Sequence, residues 1–360
     1  MKIAIFHNYM DNIGGAEIVT LTLAKELKAD IYTTNIDREK IKKMGFPDVK
    51  IFSIGKIPLD APWRQQIALW KFRKLNLKNK YDLYITCGDW AISGVVNNKP
   101  NISYIHSPIR EIWDLYKFSR KEIVLFYQRF FFDLWVIYNR FLNKRYIKKA
   151  DKLLCNSENT KRRIKKYLNR EAKVIYPPIE TDKFFYKENG DYWLSVNRLF
   201  PHKRIEIQTE AFRKLPDENL LIVGSYEKNA SHSNKYACQI IKNKPANVKI
   251  LHWVNFEELK KLYANCRGFI TTAKDEDFGM TAVEAMASGK PVIAPNEGGY
   301  KESVIDGKTG ILIDKIDADK LKKAIEKIGK NSAKFKNGCL KRAKEFDTKE
   351  FIKKILEQIS

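Results

Sequence analysis

The chain has 360 residues, with 67 Lys and Arg against 43 Asp and Glu, a formal net charge of +24, and 44% hydrophobic and 12% aromatic residues. That composition excludes a disordered or fibrous chain, and the length fits two domains of about 150 residues or more. Five scattered cysteines (87, 155, 238, 266 and 339) form no C-x-x-C pair, which argues against a disulfide framework or a cysteine zinc site and for a reducing compartment.

The opening MKIAIFHNYM has too short an apolar run and too little positive charge for a secretory signal. KIAIF reads as a first strand, and a loop with Gly14-Gly15 leads into the helix AEIVTLTLAKELK. Strands follow at DLYITC, ISYIH, KLLCNS and KVIYPP. The most apolar stretch, IVLFYQRFFFDLWVIYNRFL, is interrupted by Arg129, Asp133 and Arg140, so it falls short of the ~20 apolar residues of a membrane span. Tyr176-Pro177-Pro178 stops the first series, and the polar connector IETDKFFYKENGDY leads into YWLSVNRL, NLLIVGS, VKILHWV, GFITTA and PVIAP. The helical patterns FEELKKLYANC and DADKLKKAIEKIG lie among them, the latter with Leu321, Ala324, Ile325 and Ile328 at i, i+3, i+4, i+7. The expected class is α/β: two Rossmann-like domains with parallel sheets, residues 1–176 and 177–344, facing across a cleft at the carboxyl ends of the strands.

The charge is uneven. Residues 120–173 hold 16 basic and 5 acidic side chains, a denser window than the lysine-rich background. A basic chain invites a nucleic-acid reading, but no helix-turn-helix, zinc finger or aromatic RNP-like strand is present, so no nucleic-acid partner is expected. In WRQQIALWKFRKLNLK, Trp63, Ile67 and Trp70 share a helical face with Arg64, Lys71 and Lys74 nearby, and the 120–149 stretch adds aromatics among cations. Most of these rings are expected in the first domain's core; the alternative is an anionic membrane surface.

The most informative stretch is KDEDFGMTAVEAMASGKPVIAPN. A strand ends in an acidic loop, Phe278-Gly279 turns the chain, and a helix starts near Met280–Thr281, where free N–H groups suit a phosphate. Glu276 lies in that loop and Glu284 inside the helix; one reading puts them on sugar and ribose hydroxyls, the other makes them a dipole complement and a solvated pair. Arg198 and Lys203 flank the first strand-to-helix turn of the second domain and could clamp a diphosphate without a metal, or serve as surface charge. In the first domain, Gly14-Gly15-Ala16-Glu17 departs from G-x-G-x-x-G and reads as close backbone approach at a helix start. His106 ends the strand ISYI and is either a ligand contact or a satisfied structural histidine, while His7 ends the first strand and could line the same cleft. Asp275-Glu276-Asp277 formally contains D-x-D, which a metal-dependent sugar-nucleotide enzyme would use, but Asp317-Ala318-Asp319 matches equally well. The Phe-Gly turn and helix start offer phosphate donors that need no Mg²⁺, so no metal is expected.

The segment EDFGMTAVEAMASGKPVIAPNEGGYKESVIDGKTGIL resembles the donor-binding segment of glycosyltransferase family 4, retaining enzymes of the two-domain GT-B fold. Glu276 and Glu284 stand where the family's E-x(7)-E glutamates stand, VNRLFPHKRIEIQTEAF carries its Arg and Lys as Arg198 and Lys203, GGAE matches its first glycine loop, and YIHSPIREIWDLY its active-site histidine segment. The resemblance runs from Lys2 to about Asp314. It implies that Glu276 contacts the donor sugar, Glu284 the ribose, and Arg198 and Lys203 the diphosphate, with Asp277, Phe278, Gly279, Met280 and Thr281 around them. It further implies that His106 contacts the sugar, that Gly14 and Gly15 approach the reacting groups, and that a last helix, about 345–360, crosses back onto the first domain. The H-S-P-x-R-x-x-W-D-L-Y wording, with Arg110, Trp113 and Asp114, is similar to mannosyltransferases of bacterial O-antigen and capsule assembly. The implied donor is GDP-mannose, with no cofactor and a saccharide or polyprenyl-pyrophosphate-linked acceptor. The expected location is cytoplasmic, with a peripheral place on the inner face of the plasma membrane as the option that the basic, aromatic surface leaves open. A UDP-sugar donor, a GT-B epimerase or a phosphorylase are the alternatives.

Overall fold

The computed structural model describes residues 1–12, 14–188, 190–224, 231–252 and 254–359. The chain divides into two compact units, Met1–Tyr176 and Pro177–Ser360.

The first unit holds strands β1 (Ile3–Phe6), β2 (Asp30–Thr33), β3 (Ile51–Ser53), β4 (Leu83–Thr86), β5 (Asn101–Ile105), β6 (Lys152–Cys155) and β7 (Lys173–Val174). They pair in the order β3-β2-β1-β4-β5-β6-β7, each pair parallel. The central IAIF and LYIT are buried at every position, because helices cover both faces of a parallel sheet and leave no polar side to alternate with. The chain leaves β1 toward β2 and β3, then returns to β4. That reversal puts a switch point between β1 and β4, where such sheets take ligands.

The second unit repeats the plan with β8 (Tyr192–Val196), β9 (Asn219–Val223), β10 (Val248–Leu251), β11 (Gly268–Ile270), β12 (Val292–Pro295) and β13 (Gly310–Ile313), ordered β10-β9-β8-β11-β12-β13 and all parallel. Its switch point lies between β8 and β11, where Gly268 faces Trp193. A Cβ at Gly268 would fall 2.6 Å from Trp193 Cζ3, so glycine lets the fully buried indole lie across the neighbouring strand. The helix Ala318–Ile328 buries Leu321, Ala324, Ile325 and Ile328, and Asp317 caps it by accepting from Lys320 N at 2.8 Å. The last helix, Thr348–Ile359, belongs to the second unit, and Thr348 N donates to Ile179 O at 3.0 Å just before it.

Three strands went unread in the sequence. These are β2, β3 and β13, and two of them, β3 and β13, stand at the edges of their sheets with one pairing neighbour each. Ser225 of NLLIVGS, Trp253 of VKILHWV and Asn189 of the connector lie outside the described residues.

The expectation that the first unit's aromatics fill its core is corrected. The helix Arg129–Ile147 buries Val136, Leu142, Tyr146 and Ile147 in the core cluster, but Phe130, Phe131, Leu134, Ile137, Tyr138 and Phe141 are exposed. Trp63 and Trp70 are also exposed, and Ile67 alone of that trio packs against the core. The helix is apolar around most of its circumference, and the sheet can cover only one side of it.

Candidate active site

In the second unit, β8 ends at Val196, and Arg198 and the short helical turn Pro201–Lys203 follow before the helix Ile205–Arg213. β11, its partner at the switch point, ends at Ile270 and delivers the acidic loop 275–278. Adjacent strands therefore carry the cations and the carboxylates to one place. Lys203 Nζ lies 2.5 Å from Glu276 Oε2, both groups largely buried. The backbone beneath the pair is tied together. Thr272 Oγ1 donates to the carbonyls of Lys203 and Arg204 at 2.8 and 3.0 Å, Lys274 N donates to His202 O, and the Arg204 guanidinium donates to Thr272 O at 2.6 Å and pairs with Glu297.

Arg198 is exposed, its guanidinium 5.7 Å from the centre of the Phe200 ring, on which the His202 ring stacks. The structure thus brings Lys203 to Glu276, while Arg198 lies over the Phe200 ring on the turn that leads to Lys203.

Gly279 caps the helix Met280–Ala287 with φ +86, a conformation glycine adopts freely. A Cβ there would meet Tyr300 Cε1 at 2.4 Å. Phe278 is buried against Phe346, which turns the loop so that Glu276 and Asp277 precede the helix start at Met280 and Thr281. Gly298 and Gly299 underlie the loop. A Cβ on Gly298 would strike Glu276 O and N at 2.5 and 2.6 Å, and Gly299 N donates to Glu276 O at 2.8 Å. Sequence reasoning missed this cradle, although the doubled glycine of NEGGY is a signal of close backbone approach.

Glu284 faces inward from the same helix and accepts from the Tyr263 hydroxyl at 2.7 Å. Burial pushes the Glu284 carboxyl up, and the Tyr263 hydrogen bond pulls it back down. This is no solvated ion pair, so the surface reading of Glu284 fails. Tyr263 itself, on the helix Phe256–Asn265, was not singled out in the sequence, where it reads as one more apolar ring.

In the first unit, Gly14 is the extended N-cap residue of the helix Gly15–Leu27. Its N–H donates to Glu17 Oε2 at 2.8 Å, and Glu17 Oε1 lies 3.1 Å from Nε2 of the buried His7. The His7 Nδ1 is 3.1 Å from the Thr20 hydroxyl. One glutamate thus fixes both the glycine turn and the imidazole at the end of β1. A Glu three residues after the N-cap glycine was the available signal.

His106 leaves the end of β5 with its ring edge-to-face on Tyr104. Its Nε2 is buried and has no hydrogen-bond partner among the described residues. Its pKa is lowered to about 3, first by burial and then by the neighbouring His7, with Glu17 opposing. The ring is a neutral imidazole with one nitrogen unspent, not a satisfied structural histidine. The residues after it serve as scaffold. Arg110 Nε and Nη2 donate to Asp114 Oδ2 at 3.0 and 2.8 Å, and Trp113 Nε1 donates to Asn143 at 3.1 Å. Asp275 and Asp277 belong to no group of three or more His, Cys, Asp or Glu suited to a metal ion among the described residues.

Comparison with known proteins decides the family. The family model described as Glycosyltransferase Family 4 matches residues 13–183, and that described as Glycosyl transferases group 1 matches 178–346. The chain belongs to glycosyltransferase family 4.

This glycosyltransferase is 26% identical over 96% of its length to an alpha-1,3/1,6-mannosyltransferase of Candida glabrata, covering 89% of that protein. It is 32% identical over 48% of its length to the O-antigen chain mannosyltransferase of Salmonella typhimurium, covering 49% of it. An uncharacterized glycosyltransferase of Methanocaldococcus jannaschii matches at 28% over 62% of the chain, which spans 64% of that relative's length. Among solved structures, an Anabaena protein in complex with UDP and glucose superposes with a TM-score of 0.80 at 20% identity, covering 100% of this chain and 99% of that one. Sucrose-phosphate synthase of Thermosynechococcus elongatus gives 0.75 at 19% identity, with 99% and 98% covered. These structures share the GT-B fold with this glycosyltransferase.

Proposed function

We propose that this glycosyltransferase is a retaining mannosyltransferase that takes mannose from GDP-mannose to a saccharide or polyprenyl-pyrophosphate-linked acceptor of a cell-surface polysaccharide, working at the inner face of the plasma membrane. The observation that carries the nucleotide-sugar part is the Lys203–Glu276 pair at the second switch point, 2.5 Å apart, beside a glycine-started helix. A cation and free N–H groups there meet a diphosphate, and the carboxylate beside them meets hydroxyls of the sugar. The Candida and Salmonella relatives, both described as mannosyltransferases, favour mannose.

In this reading Lys203, Arg198 and the N–H groups near Gly279, Met280 and Thr281 hold the diphosphate, and Glu284, steadied by Tyr263, accepts from a ribose hydroxyl. Glu276 orients the donor sugar, and His106 Nε2 meets a sugar hydroxyl. The bond from the sugar's anomeric carbon to the phosphate oxygen breaks, and negative charge gathers on the departing GDP. The acceptor oxygen bonds to the same carbon from the same face, and its proton passes to the departing phosphate oxygen. Lys203 and Arg198 meet that charge, so the reading requires no metal ion.

The Anabaena complex, which contains UDP and glucose, favours a second reading with a UDP-sugar donor in the same site. Thermal unfolding against GDP-mannose, UDP-glucose and UDP-GlcNAc separates the two. A donor at a hundredfold excess over its Kd adds about 2.7 kcal/mol, roughly 5–10 °C for a unit of this size. The expected largest rise is with GDP-mannose; a rise with UDP-glucose alone assigns the second reading.

A further inference from the structure

Among the described residues, the outer face of the helix Arg129–Ile147 is an extended apolar surface that the transfer chemistry leaves unused. Phe130, Leu134, Ile137 and Phe141 fall at i, i+4, i+7 and i+11, flanked by Phe131 and Tyr138, so six large apolar side chains form one stripe. Phe131 is 70% exposed, Ile137 64% and Phe141 60%. The opposite face of the helix is sealed in the core through Val136, Leu142 and Ile147, so the stripe cannot turn inward. The preceding turn adds Phe126 and Tyr127, both exposed. Contiguous apolar surface of this extent on a protein in water marks a binding face.

The stripe continues into cations. Lys144, Arg145 and Lys148 follow Phe141 on the same side of the helix and are exposed, and Lys121 precedes the stripe. Between residues 120 and 149 there are eight basic and two acidic residues, and one of the two, Asp133, is held by Arg120 at 2.9 Å. Asn139 Nδ2 donates to Gln66 Oε1 at 3.2 Å, tying the helix to Trp63–Lys74, whose Trp63 and Trp70 are exposed.

We infer that this face docks on an anionic lipid bilayer, the aromatic stripe entering the acyl boundary and the flanking lysines and arginines pairing with headgroup phosphates. Aromatic and aliphatic residues on one face with cations beside them are what an interfacial helix requires. No described helix is long and apolar enough to cross a membrane, so the helix lies on the surface rather than through it. A second copy of the chain is the poorer occupant. Self-pairing would bring two chains of net charge +24 together, whereas an anionic surface attracts both. The inference deepens the reading of a lipid-linked acceptor, since the same surface would hold enzyme and acceptor together.

The test is flotation of the full chain with vesicles of phosphatidylcholine alone and of phosphatidylcholine with phosphatidylglycerol, without donor or acceptor. Because no transfer is measured, failure here leaves the transferase reading standing. The expected result is binding to the anionic vesicles that weakens with salt. The triple variant F131S, I137S, F141S should bind about tenfold more weakly with an unchanged melting temperature, because these side chains are exposed in the fold. Replacing Lys144, Arg145 and Lys148 with Ser should remove the preference for anionic lipid. A wild-type protein that stays unbound at low salt overturns the inference. So does a salt-independent dimer that the stripe variants convert to monomer while vesicles bind nothing, which would give the face to a second copy.

Discussion

Lys203 and Glu276, 73 positions apart in sequence, form an ion pair of 2.5 Å because β8 and β11 are neighbours in the second sheet. A bound diphosphate would add a second anion to the same ammonium, so the pair sets where the cation stands before the donor arrives. Removing either partner leaves the other charge largely buried without this counterpart. Lys203→Ala is expected to cut kcat/KM by about 100-fold or more, the range seen when a charge-stabilising donor is removed. Glu276→Gln should lower turnover by a similar factor. Because the two groups act as a unit, the double variant should lose much less than the product of the single losses, which steady-state kinetics on all four proteins would measure.

Glu284 depends on Tyr263 for its orientation. Tyr263→Phe removes one hydrogen bond and leaves the ring packing, so stability should fall by about 1 kcal/mol. The donor's KM should rise severalfold while kcat changes little, as expected for a group that holds the ribose rather than the reacting carbon. An unchanged KM would separate Glu284 from nucleotide binding.

The acidic loop rests on glycine. Gly298→Ala places a Cβ 2.5 Å from the Glu276 carbonyl oxygen at a φ of +60, and the loop must move or the backbone must strain. A cost of about 1–3 kcal/mol follows, a drop of roughly 2–10 °C in melting temperature. Activity should fall by more than the lost stability explains, since Glu276 moves with the loop. Gly307→Ala is the control. It also has positive φ but no atom within 4 Å of the added Cβ, so it should cost stability alone.

His106 makes the fold sensitive to acid. Its folded pKa of about 3 lies below the ordinary 6.5, so as pH falls the unfolded chain takes the proton first. The contribution of the neutral ring is complete above pH 6.5 and is lost progressively as pH falls toward 3, at up to about 1.4 kcal/mol per pH unit. His106→Gln cannot titrate and should show a shallower decline between pH 7 and 4, read from urea unfolding at each pH. Equal slopes for the two proteins would remove the buried neutral imidazole from the account.

Much of this was legible in the sequence because each signal is local. The strand ends and glycine turns place His106, Arg198, Lys203 and Glu276 at strand carboxyl ends, and the amphipathic spacing of Leu321 to Ile328 gives a helix. What was not legible depends on contacts across the fold. Tyr263 reaches Glu284 from another helix, and Gly298 reaches Glu276 from another strand's end. Nothing in WRQQIALW or RFFFDLWVIY says which apolar side meets the sheet. A core can cover only part of such a helix, so the remaining rings point to water, and composition alone is silent on which they are. The charge excess is likewise divided by structure into a few cations near the carboxylates and a larger group beside exposed aromatics.

The most direct test of the proposed function is product analysis by NMR with GDP-mannose and a lipid-pyrophosphate-linked saccharide, following the one-bond coupling at the new anomeric carbon. The account predicts transfer of mannose with the α configuration of the donor retained, undiminished in EDTA and lost in Lys203→Ala. A product of inverted configuration, or transfer that Lys203→Ala leaves at the wild-type rate, would contradict it.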